Sequence, residues 1–491
     1  MPCVHMLMVM LDAIRERATP SRTPWAAAAY AATIAGAALL FLLIRAYGSG
    51  LSAPAPIAPT LPAPAMPGPA PDALAHLLIA LTAIVVVGRV LRTAFQAIGQ
   101  PPVIGEVVAG VLLGPSLLGA ISPAAYQFVL APPAVPYLGI VAQLGVVLYM
   151  FLVGVELNPD LLRGQVHATV ATSHASIVVP FVLGSALALF LYPRFSSADV
   201  PFTSFALFIG ITMSITAFPV LARILSELGM TRTPLGAVAL ACAAVDDVTA
   251  WCLLALVVGV VQASAGSALT VVALTITFIT VMFVVVRPCI SRLIGAAKGE
   301  WSHGYVAVGI VGLLISALVT EAIGIHALFG AFLFGAVIPH DSRLAHALTN
   351  RLESLVLVLL LPAFFAFAGM RTEIGLVPGW GGWIACALII VVATLGKVGG
   401  TLVAARIVGM TWRTGTALGV LMNTRGLMQL VVLNVGLDLG VITPTLFTMM
   451  VVMAIVLTMA TTPLVRRLAP GLMVARDART LSMRTQRPTV R

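Results

Sequence analysis

Charge is what this sequence has least of. Of its 491 residues only 9% are Asp, Glu, Lys or Arg, while 60% are hydrophobic. A soluble domain carries about 25% charged residues and about half apolar ones, and no single aqueous core hides so much apolar surface, so lipid must be the solvent. Cysteine is sparse as well. Cys3, Cys242, Cys252, Cys289 and Cys386 show no paired spacing and read as small buried apolar side chains. The eight histidines form no HxxxH or HExxH pattern and there is no GxSxG. No cofactor is expected, and an intramembrane enzyme is not the reading. The net charge of +10 would suit nucleic acid only with a basic face or a recognisable module. Here the basic residues stand singly between apolar runs, as in loops between membrane helices, so nucleic acid is no expected partner.

What the sequence does have is long apolar runs. About 20 apolar residues cross a bilayer as a helix, and fourteen runs qualify: 25–44, 73–92, 102–119, 136–156, 168–192, 202–225, 234–262, 267–286, 303–323, 325–339, 353–370, 380–408, 414–437 and 443–465. The first is set apart by a Pro/Ala-rich linker, roughly 48–72, of an extended and semi-rigid kind. It is either an added helix or a signal anchor. It lacks a convincing small-residue cleavage site, which favours a retained helix. The expected organisation is therefore an N-terminal extension over 1–72, a membrane domain of thirteen core spans over 73–467, and a short basic tail over 468–491.

The distribution of basic residues orients the spans. With the N-terminus in the cytoplasm, the cytoplasmic segments take Arg15, Arg17, Arg22, Arg89, Arg92, Arg163, Arg223, Arg232, Arg287, Arg292, Lys298, Arg343, Arg351, Arg406, Arg413 and the arginines from Arg466 onward. The outer segments hold Arg45, Arg194 and Arg371. One overlooked span would scramble this bias, so count and orientation support each other. Lipid is an expected partner throughout, and either anionic lipid or water could solvate the basic tail.

A charge at mid-bilayer costs at least ~2.5–3.5 kcal/mol, so each one is a functional candidate. Asp246 and Asp247 lie in the middle of 234–262, Lys397 within 380–408 and Arg425 within 414–437; Glu106 and Glu321 lie near span ends. Neighbouring helix residues point about 100° apart, so the two acids cannot share one partner. One can pair with Lys397 while the other faces a water-filled cavity. A partly desolvated carboxylate can be neutralised by a proton or by a hard monovalent cation. Occupancy by one or the other, never both, is the coupling rule of an antiporter. Glu106, by contrast, reads as a scaffold or capping residue.

Two spans carry helix breakers. In GITMSITAFPVLARIL (210–225), Pro219 cannot bond the carbonyl of Ile215, Phe218 is pushed from helical geometry by the proline, and Ser214 and Thr216 stand beside the freed carbonyls. In LMNTRGLMQL (421–430), Asn423, Thr424, Arg425 and Gly426 lie at mid-depth, where Gly426 permits a break. Among the core spans these are the fifth and the twelfth. An odd offset makes them run in opposite directions, the sign of inverted repeats, and interrupted segments in matching places point to a transport site. Gly110, Gly114 and Gly119, like Gly330 and Gly335, favour close helix packing, in a scaffold or a dimer contact.

Five segments together resemble the monovalent cation:proton antiporter-2 family: PPVIGEVVAGVLLGPSLLG (101–119), SITAFPVLARILSELGM (214–230), LACAAVDDVTAWCLLAL (240–256), HALFGAFLFGAVIP (326–339) and MNTRGLMQLVVL (422–433). The resemblance spans nearly all of 73–467. It implies an all-α fold of inverted repeats with crossed broken helices. It also implies a homodimer in a bacterial inner membrane, a scaffold with a moving core, and exchange of Na⁺ or K⁺ for H⁺. By motif position Asp247 is implied as the carboxylate that binds the cation or proton, and so as the metal ligand. Asp246 is implied as the partner of Lys397, Thr216 and Ser214 as further cation contacts, and Asn423, Thr424 and Arg425 as the lining or brace of the opposite break. A lysine with such an acid pair implies charge-moving exchange. The sequence carries no GxGxxG and ends about 25 residues after the last span, so nucleotide gating is not expected. A cation-coupled solute symporter and a gated cation channel are the competing readings; the first would need further cavity-lining polar residues, the second no competition between ions.

Overall fold

A backbone in hydrocarbon must bond to itself, which leaves helices or closed barrels. In the computed structural model, which describes residues 23–55, 73–156, 166–231, 233–262, 268–296, 303–339 and 341–468, every regular element is helical. Cys3, most of the linker, the basic tail after Leu468, and Arg15, Arg17, Arg22, Arg163, Arg232 and Lys298 lie outside the described residues.

The first half holds α1 (Thr23–Gly48), α2 (Ala73–Ala97), α3 (Pro102–Leu113), α4 (Val135–Glu156), α5 (Val166–Phe195), α6 (Phe202–Ser214), α7 (Phe218–Glu227) and α8 (Pro234–Gln262). Then come α9 (Ala268–Val281), α10 (Arg287–Ala296), α11 (His303–Ile323), α12 (Ala327–Val337), α13 (Arg343–Leu355) and α14 (Leu361–Met370). The chain ends with α15 (Gly379–Thr394), α16 (Gly400–Ile407), α17 (Trp412–Met422), α18 (Leu427–Asp438) and α19 (Pro444–Leu468). Single π-helical turns join α9 to α10, α13 to α14 and α15 to α16 into continuous rods.

Eleven of these rods are long and apolar enough to cross a membrane, or twelve with the bent pair α17–α18 taken as one crossing. One of the runs read as a span is shorter: Ala327–Val337. At about 1.5 Å per residue, α12 reaches only about half the ~30 Å hydrocarbon core. The protein itself surrounds it, and nearly all of it is buried. The run expected at 353–370 begins earlier, at Arg343. An amphipathic first stretch buries Leu344, Ala345 and Leu348 and leaves its charges outward.

Two packing groups share the chain. One gathers α2, α3, α4, α11, α12 and α14; the other gathers α5, α6, α8, α15, α16, α17 and α19, with α1 laid along α5. Glycines set the closest crossings. A Cβ on Gly335 would overlap the carbonyl oxygen of Phe151 on α4, and one on Gly154 would overlap that of Phe332 on α12. Gly110 meets Ala366 of α14 in the same way, whereas a Cβ on Gly119 would make only ordinary contacts. Gly110, Gly154 and Gly335 thus serve close helix contacts inside the chain. The outer surface carries Leu74, Val90, Ile276, Val284, Leu318 and Ile407, as lipid solvation requires. Cys242 and Cys386 are buried, but Cys252 and Cys289 are exposed on this surface. Thiols in lipid carry little penalty, so the expectation that all the cysteines are buried does not hold.

Candidate ion-binding site

The first break occupies Ile215–Ala217. Ile215 is extended at φ −67°, ψ 136° and Ala217 at φ −92°, ψ 94°. It therefore lies ahead of Phe218, which is already the first residue of α7. Pro219 sits in the first turn, where a proline's lost N–H costs nothing. The second break spans Asn423–Gly426 and turns the chain by 45°. The two breaks touch. The Ala217 N–H donates to the Thr424 carbonyl at 3.0 Å, and the Thr216 hydroxyl, whose one proton is shared with Asp246, lies 3.0 Å from the Met422 carbonyl. A Cβ on Gly426 would overlap the Val220 methyl group, so the crossing needs glycine there for room.

The last four carbonyls of a helix have no partner within it. Here the basic residues supply partners for α6 and its break. The Arg425 guanidinium donates to the carbonyls of Thr212 (3.3 Å), Met213 (2.7 Å) and Ile215, the last being the one that Pro219 leaves open. Lys397 Nζ donates to the Ser214 carbonyl at 2.6 Å. Both cations are fully buried and sit at the negative end of a helix dipole. The Arg425 backbone is fixed in turn by Thr458 of α19, whose hydroxyl accepts from its N–H at 3.0 Å and donates to its carbonyl at 2.7 Å.

Lys397 lies in the π-helical turn Leu395–Gly399, a feature common at functional positions. Its other two protons go to the Ser176 carbonyl at 2.8 Å and to Asp246 Oδ2 at 2.9 Å. The ammonium is then saturated. Asp246 also accepts from Ser173 at 2.7 Å, from Ser176 at 2.8 Å and from Thr216 at 2.8 Å. A buried ion pair offsets its desolvation only when the remaining lone pairs are satisfied, and these are.

Asp247 is the contrast. It is 3% exposed, and neither carboxylate oxygen has a hydrogen-bond partner of full geometry. The Phe218 N–H at the positive end of α7 interacts with it more loosely. Nearly every buried polar group in a folded protein is satisfied, so an unpartnered carboxylate beside a helix crossing marks a place for a positive ion. The indole N–H of Trp251, one turn further along α8, and Asn423 Oδ1 in the second break are unpartnered too. Ser214 turns its hydroxyl to the Gly210 carbonyl at 2.8 Å and the Ile177 carbonyl at 2.9 Å. The Ser214 and Thr216 hydroxyls both spend their protons on such acceptors, which leaves their oxygen lone pairs open to a cation. Among the described residues, no group of three His, Cys, Asp or Glu side chains converges as a metal cluster.

Sequence reasoning did not single out Ser173, Ser176 or Thr458. A signal for the first two exists: TSHAS (172–176) is a polar interruption of an otherwise apolar run, with Thr172, Ser173 and Ser176 fully buried. Glu106 proves to be a partner of Arg92 at 3.0 Å rather than a cap. Glu321 accepts from the Ala327 N–H at 2.8 Å, at the start of α12.

The transmembrane sodium/hydrogen exchanger family model matches residues 77–467. The chain belongs to this family. It is a multi-pass membrane protein of the transporter class. One exchanger-family relative, the Na⁺/H⁺ antiporter NhaS4 of Synechocystis, is 44% identical over 80% of this chain and 98% of its own length. Cation/H⁺ antiporter 20 of Arabidopsis thaliana is 38% identical over 79% of this chain, and K⁺/H⁺ antiporter 1 of Saccharomyces cerevisiae 33% over 79%. The chain spans 48% and 46% of those two proteins. The solved sodium proton antiporter MjNhaP1 of Methanocaldococcus jannaschii superposes with a TM-score of 0.58. It covers 82% of this exchanger-family chain at 14% identity, a likeness of fold. The fold class expected from the sequence, an all-α antiporter-like membrane fold, agrees with it.

Proposed function

We propose that the chain is a secondary antiporter exchanging a monovalent cation, Na⁺ or K⁺, for H⁺ by alternating access, the two ions competing at Asp247. The observation that carries this reading is the pair of adjacent acids with opposite fates. Asp246 is spent on Lys397 and three hydroxyls, while Asp247 is buried with its charge unanswered. Leaving a carboxylate charged there costs several kcal/mol, so it holds a proton or a cation at all times, and the ion it gives up is exchanged for the other. The names of the relatives support the same reading, since both sodium and potassium antiporters occur among them. Asp247, helped by the Thr216 and Ser214 segment, forms the cation site. Asp246, Lys397 and the crossing at Pro219, Asn423, Thr424, Arg425 and Gly426 hold it in place. The proposed assembly is a homodimer in a bacterial inner membrane with both termini cytoplasmic, the orientation that the basic loops favour.

Proton flux in proteoliposomes under Na⁺, K⁺ or Li⁺ gradients tests this. Asp247→Asn should abolish exchange. For the wild type, the half-saturating cation concentration should rise about tenfold for each unit by which the pH falls once the carboxyl is mostly protonated, as competition for one group requires. Exchange at wild-type rate by Asp247→Asn, or a half-saturation indifferent to pH, would overturn the proposal.

A further inference from the structure

A cavity at the end of α19 is not used by the exchange site. Its walls follow from two helix-end rules. Pro463 lacks an N–H and leaves the Met459 carbonyl open, and Gln100 Nε2 donates to it at 3.3 Å. Gln100 is brought there by a Schellman turn closing α2. Gly99 takes φ +73°, the Gln100 N–H donates to the Phe95 carbonyl at 2.9 Å, and the Gly99 N–H donates to that of Gln96 at 3.0 Å. The open cavity is about 270 Å³ and is lined by Ile98, Gly99, Gln100, Thr462, Pro463, Arg466 and Arg467.

Two of its buried polar atoms, Thr462 Oγ1 and Gln100 Oε1, have no hydrogen-bond partner among the described residues. Thr462 stands one turn before Arg466 on the same helix face. Thr462 is 4% exposed and its hydroxyl has no partner. Neither arginine takes part in an ion pair among the described residues. Gln100 Oε1 is buried and lacks a donor. Two guanidinium forks and a hydroxyl are the chemistry that grips phosphate. The exposed side chain of Ile98 in the lining adds an apolar edge that free phosphate has no use for.

We infer that this cavity binds the phosphate of an anionic phospholipid headgroup. The phosphate lies between Arg466, Arg467 and the Thr462 hydroxyl, a headgroup hydroxyl donates to Gln100 Oε1, and the acyl chains leave past Ile98. In the proposed orientation this end of α19 faces the leaflet where anionic lipid gathers. The lipid joins the α2–α3 turn of one packing group to α19 of the other. Because Thr458, one turn before Thr462, holds the second break through Arg425, the headgroup tethers the exchange site to the opposite packing group.

The test uses the full chain in detergent, titrated with phosphatidylglycerol, with phosphatidylcholine and separately with inorganic phosphate, and read by native mass spectrometry. Phosphatidylglycerol should bind the wild type. Its affinity should fall at least ~tenfold in the R466A/R467A double variant and about threefold in Thr462→Val, as loss of charge-assisted and neutral hydrogen bonds predicts. The charge-matched R292A/R351A variant, altered at exposed arginines elsewhere, should change it less than about twofold. Equal losses in the two double variants, or phosphatidylcholine binding as well as phosphatidylglycerol, would reduce the effect to bulk charge or to acyl contact and overturn the site. Inorganic phosphate binding through Arg466 and Arg467 without phosphatidylglycerol binding would overturn the lipid as its source.

Discussion

At the scale of single residues, the two acids divide the labour by what surrounds them rather than by what they are. Asp246 meets an ammonium and three hydroxyls; Asp247, next along the same helix, is buried with no hydrogen-bond partner for either oxygen. Removing one partner of a buried pair strands the other, at about 3–5 kcal/mol, whereas replacing both by neutral groups of similar size is often harmless. Lys397→Ala should therefore lower the melting temperature in detergent markedly, and the D246N/K397M double variant should recover most of the loss. A single variant as stable as the wild type would show the pair to be dispensable. Arg425→Met should destabilise as well, by about 1–3 kcal/mol for each carbonyl of α6 left without a donor, in the same melting assay. The acids and Lys397 were legible in the sequence because a charge in an apolar run is conspicuous. Ser173 and Ser176 were not, because a serine in a membrane helix can satisfy itself on its own backbone, and nothing in its spacing says that it turns to a carboxylate instead.

Among the elements, the breaks show how far local rules carry. A proline and an NTRG stretch locate both interruptions to within a few residues. The proline rule misplaces the first, since Pro219 sits in the first turn of α7 and Ile215–Ala217 supply the extended backbone. What the sequence could not reveal is that Arg425 from one interruption answers the carbonyls of the other, because such pairing depends on the crossing itself. Gly426→Ala tests that crossing. The added methyl collides with Val220, a stiff β-branched side chain, so exchange and stability should both drop. Combining it with Val220→Ala should restore part of each, a coupling of about 0.5–3 kcal/mol in a double-mutant cycle. Purely additive losses would mean that the collision is not what harms the protein.

For the whole molecule, composition alone dictated lipid as solvent and helices as the only elements, and the run lengths gave nearly every rod. The short run at α12 shows the limit. Hydropathy measures apolarity, not depth, and α12 is apolar because protein encloses it on all sides. Its seat against α4 rests on Gly154 and Gly335 facing each other. Gly335→Leu should force the two helices apart, an overpacking cost of ~1–3 kcal/mol or more. The exposed Gly375→Leu, with nothing near it, should be silent in the same melting assay; equal behaviour of the two would deny that this crossing is tight.

The hydrogen bond from Ala217 to Thr424, the hydroxyl of Thr216 on Met422, and the grip of Arg425 and Lys397 on the end of α6 have a mechanical corollary. If either interrupted rod slid past its neighbour, several carbonyls would lose their donors in a medium with no water to replace them, at ~1–3 kcal/mol apiece. Carrying an ion from one face of the bilayer to the other is cheapest when the knotted centre stays tied and rides across intact, like luggage that is never opened in transit.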